Sequence, residues 1–284
     1  RVTETSSSRS LDQAVYAETV LMRFAMEGAT HQHTPMDASA IFTANSEKAT
    51  PTDIQRFQRA IGSLMYLSTC TRPDLTTAVH LLARFSHNPS AQHWAAVKRV
   101  FRYLRGTTTF GLTYNRQESP ELTAYVDSDH AGDVNDRKST SGYVVKLADA
   151  AICWKSKKQT CVAGSSTHAE YVAAATAGRD VTWLRTILAP ILGTPVLPPT
   201  TLFIDNDGAR SIANSDIINN RTKHVDVKYH QIREYLTKKE IITARVDSAN
   251  NTADILTKPL PRPAFITHRA ALGLSQVETK STAL

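Results

Sequence analysis

The chain has 284 residues, enough for one large domain or two modest ones, and with 41% hydrophobic residues it can bury a substantial core. Its charged fraction of 21% is ordinary for a soluble protein, and its formal net charge of +7 points to an acidic partner such as nucleic acid or an anionic surface. No run of 18 apolar residues occurs, which excludes a hydrophobic membrane-spanning helix, and Cys70, Cys153 and Cys161 form neither a CxxC pair nor a Cys/His zinc spacing.

Reduced thiols are therefore expected, in a reducing compartment. The most apolar region, 181–197, is interrupted by Arg185, Pro190, Gly193 and Pro195. The opening Arg1-Val2-Thr3-Glu4 has no initiator methionine and no signal-peptide pattern, so a fragment or processed product is expected, acting in the cytoplasm, the nucleus or both.

In chain order, Val15, Val20, Leu21 and Phe24 predict an amphipathic helix over 11–26, and 28–50 reads as a linker. Thr52 and Gln55 resemble a capping box before a helix with Ile54, Phe57, Ile61, Leu64 and Leu67 on one face. Arg72-Pro73-Asp74 opens a second helix carrying Leu75, Ala78, Val79 and Leu82, and Asn88-Pro89 stops it. Ser90 opens a third, striped by Trp94, Val97, Phe101 and Leu104 and ended by Gly106. Another side of that helix carries Lys98, Arg102 and Arg105, suited either to a solvated face or to phosphate contact. Between residues 51 and 115 there are eight Lys or Arg against two Asp or Glu, so this piece holds most of the net charge.

From Phe110 the period becomes that of strands, first at 112–115 or, in a longer strand, at 122–127, then at 142–147 and 151–155. A long helix is predicted over 167–192, either continuous or broken at Gly178. After it come a strand at 201–205, helices at 208–214 and 226–239, a strand at 241–246 and a final helix from Thr252. Pro259 and Pro261 end that element, and 275–284 reads as a frayed tail. Strands in a meander, then strands alternating with helices, indicate an α/β fold with a mixed sheet flanked by helices.

Four carboxylates stand at the ends of these elements: Asp127, Glu170, Asp205 and Asp254. Each has a local structural explanation. Asp127 could mark a strand end facing water, Thr167-x-x-Glu170 is itself a capping box, and Asp205 and Asp254 could cap helices. Asp129 and Asp133 look like turn residues. Together the four suit a different purpose, since two Mg²⁺ ions about 4 Å apart require several carboxylate oxygens converging at one edge of a sheet.

The motifs carry a resemblance as well. The runs 125–133 (Tyr125-Val126-Asp127-Ser128-Asp129-His130-Ala131-Gly132-Asp133) and 136–143, Trp154-Lys155-Ser156-Lys157-Lys158-Gln159, and Ser165-Ser166-Thr167-His168-Ala169-Glu170-Tyr171 resemble the ribonuclease H region of copia-type retrotransposon Pol polyproteins. So do Asp205-Asn206, Arg221-Thr222-Lys223-His224-Val225-Asp226 and the run 253–260. Upstream, the runs 61–67 and 71–75 resemble the segment that follows the reverse transcriptase palm in the same polyproteins. The resemblance extends from about Leu11 to Leu274. It implies the end of a reverse transcriptase region at 1–50, a helical thumb or connection piece at 51–110, a ribonuclease H-like domain at 115–274 and a tail at 275–284.

It further implies two-metal hydrolysis of the RNA strand of an RNA–DNA hybrid, with Mg²⁺ (or Mn²⁺) held by Asp127, Glu170, Asp205 and Asp254 as metal ligands and catalytic groups. Lys98, Arg102, Arg105, Lys155, Lys157, Lys158, Arg221 and Lys223 are the expected nucleic-acid contacts, and the upstream palm and fingers of the polyprotein an expected partner. His130 stands where the family usually has Trp, and His168 where Glu is common; neither departure removes a metal ligand. The aromatic-x-Asp-Asp motif of a polymerase occurs nowhere in the chain, so DNA synthesis by this piece alone is not expected. Two competing readings remain: an inactive or domesticated nucleic-acid-binding fragment, and a sugar-nucleotide enzyme built on Asp127-x-Asp129.

Overall fold

The computed structural model describes residues 1–116, 121–194, 196–214 and 231–277. In chain order these form β1 (Val2–Glu4), β2 (Ser8–Asp12), α1 (Ala14–Arg23), α2 (Pro51–Cys70), α3 (Thr76–Ala83), α4 (Ala91–Arg105), β3 (Phe110–Asn115) and β4 (Leu122–Asp129). There follow β5 (Thr140–Leu147), β6 (Ala150–Lys158), α5 (Ser166–Ile191), β7 (Thr200–Ile204), α6 (Asp207–Asn214), α7 (Gln231–Thr237), β8 (Ile241–Arg245), α8 (Arg262–Ala271) and β9 (Leu274–Gln276). The chain divides into two compact units, Arg1–Glu118 with Lys258–Leu284, and Ser119–Thr257. Residues 258–274, expected in the second domain, thus group with the first unit.

In the first unit the helices arise where apolar spacing and caps agree. Thr50, not Thr52, caps α2: its side chain accepts from Asp53 N at 3.1 Å, and Pro51 sits at the first helical position, where its missing N–H costs nothing. Ser90 and His93 form a capping box on α4. Phe57, Leu64, Leu67, Val97, Phe101 and Leu104 are fully buried between these helices, each contributing about 1.5–3 kcal/mol.

Two expectations fail here for identifiable reasons. The helix predicted over 11–26 is shorter, because β2 takes Leu11 and Asp12, and its buried face is set by Ala14, Ala17, Val20 and Leu21, leaving Val15 in solvent. The tail expected from Ser275 instead begins as β9, which pairs antiparallel with β3 in a sheet of order β1-β2-β3-β9. These strands carry little apolar alternation, and β3 pairs with strands more than a hundred residues away on both sides.

The first unit also encloses a charged network. Arg72 donates Nε and Nη2 to the two carboxylate oxygens of Asp74 at 2.9 and 2.8 Å, and Nη1 and Nη2 to Thr107 O and Oγ1. Tyr103 donates its hydroxyl to Asp74 at 2.6 Å, and Arg269 donates to Tyr103. Burial alone would raise the Asp74 carboxyl, but Arg72 overrides it and holds the group below the usual range.

The second unit is a five-stranded mixed sheet of order β6-β5-β4-β7-β8 flanked by helices, as the resemblance implies. β4, β5 and β6 form an antiparallel meander, while β4–β7 and β7–β8 are parallel. The two-residue turn Ala148-Asp149 joins β5 to β6 with both φ angles positive, the backbone of a tight hairpin. Helix α5 packs on β4 and β5 through Ala173, Ala174 and Ala177, whose small side chains let the helix axis approach the strands.

That helix runs without a break at Gly178. The position packs against Tyr235, where an added Cβ would meet the ring at 3.3 Å, so glycine serves close approach here rather than a turn. The helix expected from Thr252 is only a 3₁₀ turn, Thr252–Leu256, and the next helix, α8, starts after Pro261. Of the helix predicted over 226–239 the described part is α7. No helix among the described residues is long and apolar enough to cross a membrane.

Candidate metal centre

β4 is the central strand, hydrogen-bonded to β5 on one side and β7 on the other, and Asp127 lies near its C-terminal end. Val126 pairs with Ile204 in the parallel register, so Asp127 and Asp205 leave adjacent strands at one level. Glu170 comes from the first turns of α5. The capping box expected at Thr167 and Glu170 does not form: Ser165 caps the helix by accepting from His168 N at 3.1 Å, and Thr167 donates to Asn206 Oδ1 instead. Glu170 is thereby not engaged at the helix end. Asp127, Glu170 and Asp205 each present a carboxylate oxygen, and these oxygens lie within 4.8 Å of one another.

The group crowds like charges together. Burial pushes the Glu170 carboxyl up to about 8, with the Asp205 and Asp127 charges adding to the shift. Among the described residues, the groups that act on it most are the Asp205 and Asp127 carboxylates and the Asn206 amide. Glu170 Oε2 and Asp205 Oδ1 are buried and, among the described residues, have no hydrogen-bond partner. Unpaired buried acceptors are costly, and a hard divalent cation, which prefers several carboxylate oxygens, fits this donor set.

Asp254 stands apart. It lies on the Thr252–Leu256 turn, which packs against β4 and β5, but its carboxylate is not among the three that converge. It meets Asp127 through an intermediary: Thr257 Oγ1 lies 2.8 Å from Asp127 Oδ2 and 2.9 Å from the Asp254 carbonyl oxygen.

No family model matches the sequence. The chain is 38% identical over 278 residues to the Retrovirus-related Pol polyprotein from transposon TNT 1-94 of Nicotiana tabacum, covering 95% of this chain and 20% of that protein. It is 38% identical over 267 residues to the Retrovirus-related Pol polyprotein from transposon RE2 of Arabidopsis thaliana, covering 94% and 18%. The chain belongs to the copia-type retrotransposon Pol polyproteins. It spans about a fifth of the length of these curated relatives. Among solved structures it is similar to LC11-RNase H1, isolated from compost by a metagenomic approach, with 14% identity and a TM-score of 0.37, covering 49% of this chain and 93% of that one.

Within this Pol segment the predicted basic contacts differ in their surroundings. Lys98 and Arg105 are exposed on α4, where Arg105 Nε donates to Glu27 O, and Arg102 is half-buried. Lys157 is exposed on β6. Lys155 pairs with Asp180 at 3.6 Å, and Lys158 with Asp133 and Asp136, where it ties down the 130–138 turn. Arg221 and Lys223 lie outside the described residues. Sequence reasoning gave no role to Thr257, Asn206 or Ser248, although Ser248 donates to Asp205 Oδ2 at 2.8 Å. A hydroxyl or amide that meets a carboxylate only in three dimensions leaves no periodic signal.

Proposed function

We propose that this segment is the ribonuclease H of its polyprotein and hydrolyses the RNA strand of RNA–DNA hybrids, leaving a 3′ hydroxyl and a 5′ phosphate. The observation that carries the reading is the convergence of Asp127, Glu170 and Asp205 with two buried, unpartnered oxygens. These three would hold divalent ions, Mg²⁺ or Mn²⁺, two in number, with Asp254 as a fourth carboxylate. When bound, such ions supply activation of the attacking water and stabilisation of the leaving oxygen.

The chain's own residues prepare the site. Thr257 holds Asp127 and Ser248 holds Asp205, so two of the carboxylates are oriented before a cation arrives. Glu170 keeps its proton to about pH 8 in the metal-free group, and a nearby cation favours its ionised form. Exposed Lys157 offers phosphate contact, and the ribose 2′-OH distinguishes the RNA strand. The palm and fingers upstream in the polyprotein would supply the hybrid.

The test is cleavage of a labelled RNA–DNA hybrid with Mg²⁺ by the wild type and by Asp127→Asn. RNA-strand cuts that vanish in the variant support the reading. Equal cleavage by both, or hybrid binding by a folded wild type that never cuts, overturns it.

A further inference from the structure

We infer that Thr257 is a positioning residue for Asp127, presented by a clasp that the 251–257 turn forms on the end of β4. The inference rests on reading the acidic group as a metal site. Three observations carry it. First, the turn grips β4 at two successive residues: Asn251 Nδ2 donates to Val126 O at 2.8 Å, and Thr257 Oγ1 reaches Asp127 Oδ2 at 2.8 Å. Both contacts are buried, with Asn251 1% and Thr257 3% exposed, so water does not compete for them.

Second, the grip depends on Gly142, which faces Asp127 across the β4–β5 ladder. A Cβ there would lie 2.7 Å from Thr257 Cγ2 and 2.9 Å from the Leu256 carbonyl carbon and Cβ. Only glycine lets the turn descend this far, and the Thr257 methyl takes the space that a side chain at 142 would fill. Third, the single Thr257 proton has two acceptors, Asp127 Oδ2 and the Asp254 carbonyl oxygen. The hydroxyl can therefore hold Asp127 in the crowded metal-free group and remain hydrogen-bonded if the carboxylate turns toward a cation.

The other two carboxylates have neutral neighbours as well, Ser248 at Asp205 and Asn206 at Glu170, but Thr257 comes from a turn that also grips β4 through the buried Asn251 side chain. Groups that orient a metal ligand in this way change affinity about 10–100-fold when lost.

The test is a titration of the full chain with Mg²⁺ alone, followed by NMR shifts of backbone amides, with Thr257→Val and Thr257→Ser beside the wild type. Thr257→Val keeps the methyl packing and loses the hydroxyl, and should weaken Mg²⁺ binding about 10–100-fold. Thr257→Ser should restore most of the affinity. Gly142→Ala, which forces the clasp away while leaving every carboxylate in place, should repeat the loss and serves if Thr257→Val does not fold. Wild-type affinity in folded Thr257→Val or in Gly142→Ala overturns the inference, as does a Thr257→Ser variant as weak as Thr257→Val. If the wild type itself binds no Mg²⁺, the metal-site reading fails first, and this inference with it.

Discussion

Two buried charged clusters, one in each unit, are built to opposite ends. In the first, Arg72 forks onto Asp74, Tyr103 and Thr107 complete the hydrogen bonds, and the Asp74 carboxyl is held low. In the second, three carboxylates converge, two oxygens go unpartnered and Glu170 is pushed up to about 8. Both regions bury acids; the first pairs its acid with a buried arginine, whereas the second crowds carboxylates together. A buried acceptor left without a hydrogen-bond partner is a cost to the fold, and a group that retains such a cost is suited to receive a ligand.

The largest expected effect comes from removing one component of the second cluster. Asp127→Asn should lower hybrid cleavage by about 10²–10³-fold or more, the scale for a group acting at the reacting centre, as measured by initial rates on a labelled hybrid. Next is damage to the first cluster. Arg72→Met strands Asp74 without its counterion and should cost about 3–5 kcal/mol in urea denaturation, while Mg²⁺ affinity stays at the wild-type value. An equal loss of metal binding in that variant would mean the two clusters are not independent.

The clusters should also respond oppositely to pH in the absence of metal. Below the ordinary carboxylate range Glu170 is protonated whether the chain is folded or unfolded. Between there and about pH 8 only the unfolded chain has released the proton, so stability falls as pH rises through that window. Glu170→Gln should flatten this slope in chelator-treated protein, seen as a melting temperature that no longer drops between pH 5 and about 8. Asp74, held low by Arg72, works the other way: its contribution is present above the ordinary carboxylate pKa and lost as pH falls through the lowered value.

How much of this could be read from the sequence follows from the range of the interactions. Helices α2 and α4 were legible because Phe57, Leu64, Val97 and Leu104 recur at helical spacing beside local caps. The central strand and its terminal Asp127 were legible from the alternation of Leu122, Ala124 and Val126. Strands β1, β2 and β9 were not, because Val2, Ser8 and Leu274 declare themselves only through partners over a hundred residues away or in another polar strand. Asp127, Glu170 and Asp205 stood out as acids at element ends, whereas Asp254 stood out equally and is not brought into the group. Thr257 and Gly142 were visible only as letters in a motif, since what matters about them is the space between them.

The smallest effect sharpens the contrast between paired and unpaired charges at the surface. Lys157 is exposed, whereas Lys158 is held by Asp133 and Asp136. Lys157→Ala should reduce the slope of log affinity against log salt for hybrid binding by about 0.7–0.9, one phosphate contact. Lys158→Ala should leave the slope unchanged and loosen the 130–138 turn, seen as faster amide exchange there.

The most direct test of the central claim, that a divalent cation completes the acidic group, is the melting temperature of the full chain on titration with Mg²⁺ after chelation. The account predicts a rise for the wild type, equivalent to about 2.7 kcal/mol at a hundredfold excess over the dissociation constant, and none for Asp127→Asn. A wild type that does not respond, or a variant that rises equally, would contradict it.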